Sequence, residues 1–225
     1  MLFDFFRKRK AYPLFWQEYL ARFKHSYSSK IPIEEVRFVV VDTETTGLVV
    51  KKDKVLSIAA AGVKNRRMEM GDTFNCLVRQ ELPSGESVKV HGIMTKETQS
   101  GLSEAEALEQ FLAFCQDSVI VGQHIGFDVA MINAALKIHV GDKLKNKMLD
   151  TARLAIRAEH PFDRYYVQVK PNTYSLDALI QRYNIPAQDR HTAAGDAYIT
   201  AILFLKLLAR LQQQGLRTLG ELLGK

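Results

Sequence analysis

An α/β fold, in which helices cover a mixed sheet, is what this sequence predicts, and three observations point to it. The run 36–41 is β-branched and aromatic with no polar residue after Arg37, which suits a central strand covered on both faces. Two more strand-like runs follow at 55–63 and 67–78, the latter pair parted only by the turn-like Asn65-Arg66. Consecutive strands joined by short turns make an antiparallel meander. Beyond residue 103 the pattern changes to helices around a short apolar strand at 119–121, and a meander that gives way to such alternation belongs to a mixed sheet.

The elements follow in order. An aromatic cluster at Phe3, Phe5 and Phe6 precedes Arg7-Lys8-Arg9-Lys10, and Pro13 suits the first position of a helix. Phe15, Trp16, Tyr19, Leu20 and Phe23 then recur at helical spacing and leave Gln17, Glu18 and Arg22 for solvent. Such a stripe docks on the body of the protein or, in a sharper reading, meets a partner protein or a membrane surface. The polar run 26–30, closed by Ile31-Pro32, has linker composition. Residues 1–30 therefore read as a basic helical arm, and 31–225 as one domain.

After the three strands, 82–89 is loop-like and leads to His91-Gly92-Ile93-Met94-Thr95. Ser103 and Glu106 form a capping box ahead of a helix whose apolar face is Ala107, Leu108, Phe111, Leu112 and Cys115. Further helices are expected near 127–138, 149–158, 175–183 and 193–211, with a short terminal piece near 216–223.

Composition sets the bounds. With 225 residues, 47% apolar and 25% charged, the chain suits a soluble globular domain with a substantial core. No apolar run approaches the ~20 residues of a membrane helix, and residues 1–10 lack the order of a secretory signal. Cys76 and Cys115 fall in different elements, which argues against a disulfide framework or a zinc site and for a reducing, cytoplasmic location. The net charge of +6 is uneven: residues 1–30 hold seven basic against two acidic side chains, and the rest 24 against 23. A basic arm on a nearly neutral body suits contact with phosphates, and equally a solvated tail.

Asp42 and Glu44 close the first strand. Side chains alternate along a strand, so both acids project to one side and Thr43 to the other. Two such acids resist ionising together unless a cation lies between them, and all-oxygen sites favour hard divalent ions such as Mg²⁺ or Mn²⁺. Acids at strand ends are also ordinary turn residues, so the pair needs partners. Gly122-Gln123-His124-Ile125-Gly126-Phe127-Asp128 supplies one, because it lies past the short strand and brings Asp128 to the same sheet edge. His191-Thr192-Ala193-Ala194-Gly195-Asp196 leads into the last long helix. Five helical residues rotate ~140° beyond a full turn, so His191 is expected on the loop and Asp196 in the first turns.

Asp42-x-Glu44, Phe127-Asp128 and His191-x₄-Asp196, in this order and spacing, resemble the DnaQ-like 3'-to-5' exonucleases of the DEDD superfamily, in the subtype with a motif histidine. The resemblance covers roughly 36–211. It is nearest to the bacterial proofreading branch, through Asp42-Thr43-Glu44-Thr45-Thr46-Gly47-Leu48 and His91-Gly92-Ile93. It implies a ribonuclease-H-like three-layer fold with helices on both faces of a mixed central sheet. It also implies that Asp42, Glu44, Asp128 and Asp196 hold two Mg²⁺ or Mn²⁺ ions. His191 would be the general base, and its ordinary pKa of ~6.5 suits that work.

The substrate so implied is the 3' end of single-stranded DNA or RNA, with DNA preferred, and the product a nucleoside 5'-monophosphate. Thr45, Thr46, Leu48, His91 and Phe127 become substrate-binding candidates. Where many relatives have His-Asn this chain has Gln123-His124, so His124 stands at a position that contacts substrate or water. An exoribonuclease or oligoribonuclease would use the same metal centre, whereas a non-catalytic nucleic-acid-binding module has no need of all five groups. The segment 160–166 interleaves aromatic and basic residues that either stack bases or pack on the domain. His25 and His139 lack acidic or cysteine partners at ligand spacing, and Asp150 and Asp177 are expected to cap helices. The arm could also dock a protein partner or lengthen the substrate track.

Overall fold

The structure, a computed structural model, describes residues 12–25, 27–80, 99–162 and 170–224. Its strands are β1 (Phe38–Thr45), β2 (Val55–Lys64), β3 (Arg67–Leu77), β4 (Val119–Gly122) and β5 (Met148–Asp150). Together they form one sheet in the order β3-β2-β1-β4-β5. The β1–β2 and β2–β3 pairs are antiparallel, and β1–β4 and β4–β5 are parallel. Parallel neighbours need a crossover, and the chain passes through helices α2 (Glu104–Cys115) and α3 (Gly126–His139) on the way to β4 and β5. The remaining α-helices are α1 (Leu14–Arg22), α4 (Thr151–Glu159), α5 (Leu176–Arg182), α6 (Ala193–Gln213) and α7 (Leu219–Leu222).

Alternation along β1 divides the core in two. Phe38 and Val40 enter one cluster with Leu154, Leu179 and Phe204, from α4, α5 and α6. Val39 and Val41 enter the other with Trp16, Phe111 and Ile132, from α1, α2 and α3. Helices thus cover both faces, as expected. Val39 and Val40 have no exposed area, and burying each such side chain contributes about 1.5–3 kcal/mol. The strand that ends in the acids is therefore anchored from both sides.

Local signals account for the helix starts. Ser103 Oγ accepts from Glu106 N, and Ser103 N donates to Glu106 Oε2 at 2.9 Å, which is the predicted capping box. The helix expected over 149–158 is instead preceded by β5, and α4 begins at Thr151, with the Asp150 carboxylate accepting from Ala152 N at 2.9 Å. An edge strand of three residues is too short to show a period, so the helical pattern after it hides it. The first strand starts two residues later than expected, because Ile33–Glu35 forms a 3₁₀ turn, and it runs on through the acids.

The described part of the arm is built into the body. Trp16 and Tyr19 are buried on the α2 side. Tyr19 Oη donates to Asn146 Oδ1 at 2.6 Å and accepts from Lys145 N at 2.8 Å. The aromatic stripe thus docks on the protein's own core, as the first of the two readings expected, and this replaces the alternative of a partner or membrane surface. The basic cluster 7–10 lies outside the described residues. Among those described, no helix is long and apolar enough to cross a membrane.

Candidate active site

The site is built where β1 ends. Asp42 lies opposite Ala59 of β2, and Ala59 packs with Ala193 and Ala197. These small side chains let the first turns of α6 lie close on the sheet. That contact brings Asp196, the fourth residue of α6, to the strand end. Asp42, Glu44 and Asp196 each offer a carboxylate oxygen, and these oxygens lie within 4.8 Å of one another.

Helix α6 is started by Thr192, whose Oγ1 accepts from Gly195 N at 3.0 Å and donates to the Asp189 carbonyl at 2.8 Å. A Cβ on Gly195 would collide with that carbonyl, so only glycine lets the loop fold onto the helix here. His191 is on this loop, exposed, with φ +64°.

Asp128 arrives from the opposite layer. It lies in the first turn of α3, only 6% exposed, and its Oδ1 accepts from Thr43 N at 3.0 Å and Thr43 Oγ1 at 2.7 Å. Thr43, which points away from Asp42 and Glu44, thereby holds the fourth acid. Asp128 stands outside the group of three, yet its charge acts on both Asp42 and Glu44. The turn that carries it passes close to β1: a Cβ on Gly122 would meet the Val41 carbonyl at 2.8 Å.

The electrostatics are those of crowded like charges. Burial, then the charges of Asp128, Asp196 and Glu44, push the Asp42 carboxyl well above the usual range. Burial, Asp196 and Asp128 push Glu44 up to about 7. Burial raises Asp128 to about 6, although the Thr43 hydrogen bonds pull against it. Clustered carboxylates that resist ionisation are relieved by a cation, and the donor set, oxygen throughout, fits a hard divalent ion.

One guanidinium already reaches the cluster. Arg190 Nη1 donates to Asp196 Oδ1, while its Nε and Nη2 donate to Asp177 Oδ1 at 3.1 and 2.6 Å. Asp177 is thus an ion-pair partner and not the expected cap, which Ser175 provides through a hydrogen bond from Ala178 N. Sequence reasoning passed over Arg190, and its place beside His191 was the only available signal.

The other candidates fall variously. The Thr45 hydroxyl donates to the Gly47 carbonyl at 2.8 Å and that of Thr46 to Asp53 Oδ1 at 2.9 Å, so both shape the loop after β1. Leu48, at its tip, is 82% exposed. Gln123 turns inward, donating from Nε2 to the Tyr174 carbonyl at 2.7 Å and accepting from Thr151 Oγ1 at 2.6 Å. His124 is left exposed with φ +52°. Phe127 is half-buried against the α2–α3 core. His91 lies outside the described residues, as do residues 163–166; Phe162, just before them, is 93% exposed among the described residues.

The exonuclease family model RNase_T matches residues 39–204, a span that holds Asp42, Glu44, Asp128, His191 and Asp196. The chain belongs to this exonuclease family. It is 34% identical over 208 residues to a DNA polymerase III subunit epsilon-like protein of Rhodobacter capsulatus, covering 91% of this chain and 28% of that protein. It is 32% identical over 189 residues to a PolC-type DNA polymerase III of Caldanaerobacter subterraneus, covering 84% of this chain and 13% of that protein. The exonuclease chain thus spans less than a third of either relative. Its fold is shared with E. coli Exonuclease I, solved in complex with a dT13 oligonucleotide, at a TM-score of 0.65 and 17% identity over 80% of this chain and 42% of that one.

Proposed function

We propose that this chain is a metal-dependent 3'-to-5' exonuclease that removes nucleotides from the 3' end of single-stranded DNA and releases nucleoside 5'-monophosphates. The observation that carries this reading is the convergence of Asp42, Glu44 and Asp196 within 4.8 Å, beside Asp128, in a chain of the exonuclease family. In this reading the four acids hold two ions, Mg²⁺ or Mn²⁺. When bound, such ions supply positive charge to the phosphodiester and to the oxygen that leaves.

The protein's own groups do the rest. His191, exposed on the loop before α6, takes a proton from the attacking water. The water oxygen bonds to phosphorus, the bond from phosphorus to the 3' oxygen of the penultimate nucleotide breaks, and that oxygen takes up a proton to end as a hydroxyl. The terminal nucleotide leaves with the phosphate on its 5' oxygen. Leu48 packs against the terminal base, while Thr45 and Thr46 keep its loop in shape. His124 and Phe127 line the substrate's approach, and His91 is assigned to substrate binding from the family resemblance alone.

DNA is the preferred substrate because the relatives named above are DNA polymerase proteins. A cytoplasmic location fits Cys76 and Cys115, both buried free thiols. The basic residues of the arm serve the substrate track, while Trp16 and Tyr19 of α1 are used internally.

The test is nucleotide release from 3'-labelled single-stranded DNA and RNA of matched sequence, with Mg²⁺, with Mn²⁺ and with chelator. Monophosphate release that needs metal and favours DNA is expected. Faster release from RNA would make the protein an exoribonuclease, and tight binding without release would reduce it to a binding module.

A further inference from the structure

Arg190 directly precedes His191, and the two ends of its guanidinium face different surroundings. The outer end meets Asp177, which is 67% exposed, in an ion pair of the solvated kind that contributes modestly. The inner end meets Asp196 inside a group of like charges, where a charge-assisted bond is stronger. A guanidinium stays charged at any relevant pH, and its charge acts on Asp42 and Glu44 as well as on Asp196. A divalent ion held by the acids needs the same Asp196 carboxylate, so the two cations compete for it.

A second observation concerns the backbone. Asp189 and His191 both have positive φ, +55° and +64°, a region that aspartate and histidine enter more readily than most non-glycine residues but still at a cost in energy. Between them, the Arg190 fork reaches across to α5, and Thr192 Oγ1 binds the Asp189 carbonyl. The loop that presents His191 is therefore pinned through Arg190.

Resting on the metal-dependent reading above, we propose that Arg190 is a positioning residue with two linked tasks: it stands in for a cation at Asp196 until a divalent ion binds, and through Asp177 it fixes the backbone that presents His191. When the ion takes the Asp196 oxygen, the inner end of the fork lets go and the outer end stays on Asp177. His191 is then held in place whether or not the acids are loaded.

The test compares Mn²⁺ affinity, read from the paramagnetic signal of free Mn²⁺ without substrate, with nucleotide release. Arg190→Gln removes the competing charge and is expected to bind Mn²⁺ about threefold or more tightly than the native chain. Its turnover falls because the tether is gone. Arg190→Lys keeps the charge, and its affinity stays within about threefold of native. Asp177→Ala removes the oxygen that accepts both outer bonds, leaves the inner contact and frees the loop, so Mn²⁺ affinity does not rise, whereas kcat falls roughly tenfold or more with little change in KM. Native or weaker Mn²⁺ binding by Arg190→Gln overturns the first task, and undiminished kcat in Asp177→Ala overturns the second. Should Arg190→Gln not fold, a rise in Mn²⁺ affinity in Arg190→Lys or Asp177→Ala overturns the competition. Failure of the underlying reading looks different, because the native chain then binds no Mn²⁺ at all.

Discussion

The two ends of β1 both carry charge, and they treat it in opposite ways. Just before the strand, Arg37 is answered on every side. Its Nη2 donates to Asp72 Oδ1 at 2.7 Å, and its Nη1 donates to the Phe114 carbonyl at 3.0 Å and to Ser118 Oγ at 2.8 Å. The Phe114 ring lies 4.8 Å beneath it. At the other end, Asp42 and Glu44 face Asp196, Asp128 adds a fourth negative charge, and one guanidinium answers them. A charge with matched partners is a structural element, whereas a crowd of like charges with a single counter-charge is held at a cost that protonation or a cation relieves. The contrast within a single strand separates scaffold from site.

The sharpest way to break the contrast is to remove an acid. Asp42→Asn is expected to cut nucleotide release by roughly 10³-fold or more and, in chelator, to raise the melting temperature, because it relieves repulsion. Next in size is His191→Ala, which is expected to cost about 10²-fold or more in kcat. It leaves thermal stability unchanged, since the side chain is exposed. A third substitution tests the opposite end: Arg37→Met is expected to lose about 2 kcal/mol of stability, read by urea unfolding. Its activity per folded molecule stays native.

The smallest effect is a pH dependence of the metal-free chain. Asp42, Glu44 and Asp128 have raised carboxyl pKa values in the folded state, so the folded chain holds protons that the unfolded chain loses above pH ~4. Their contribution is complete below that pH and is lost as pH rises through about 6 for Asp128 and about 7 for Glu44. Thermal unfolding in chelator should therefore show a melting temperature that falls between pH 5 and pH 8. Asp42→Asn should flatten that slope and Arg37→Met should keep it.

Much of this was legible in the sequence because it is local. The acids of β1, the His191-x₄-Asp196 spacing and the capping box at Ser103 are each contained in a few consecutive residues, and the apolar run of 36–41, unbroken after Arg37, announced a strand buried on both faces. What stayed hidden depends on distant parts of the chain. Arg190 finds Asp177 across 13 residues and a change of element, and Thr43 finds Asp128 across 85. Neither pairing leaves a pattern in the chain. β5 was missed because three residues before a helix carry no period, and the aromatic stripe of α1 showed that it would be buried but not against what.

The most direct measurement is a calorimetric titration of the metal-free chain with Mn²⁺ at pH 7, repeated in buffers of different ionisation enthalpy and repeated for Asp42→Asn. Because the clustered carboxyls hold protons in the metal-free state, the native chain should bind Mn²⁺ saturably and release protons as it does so, and Asp42→Asn should lose most of that binding. Saturable binding without proton release, or binding untouched by the substitution, would contradict the account of the acid end of β1 as a site completed by a cation.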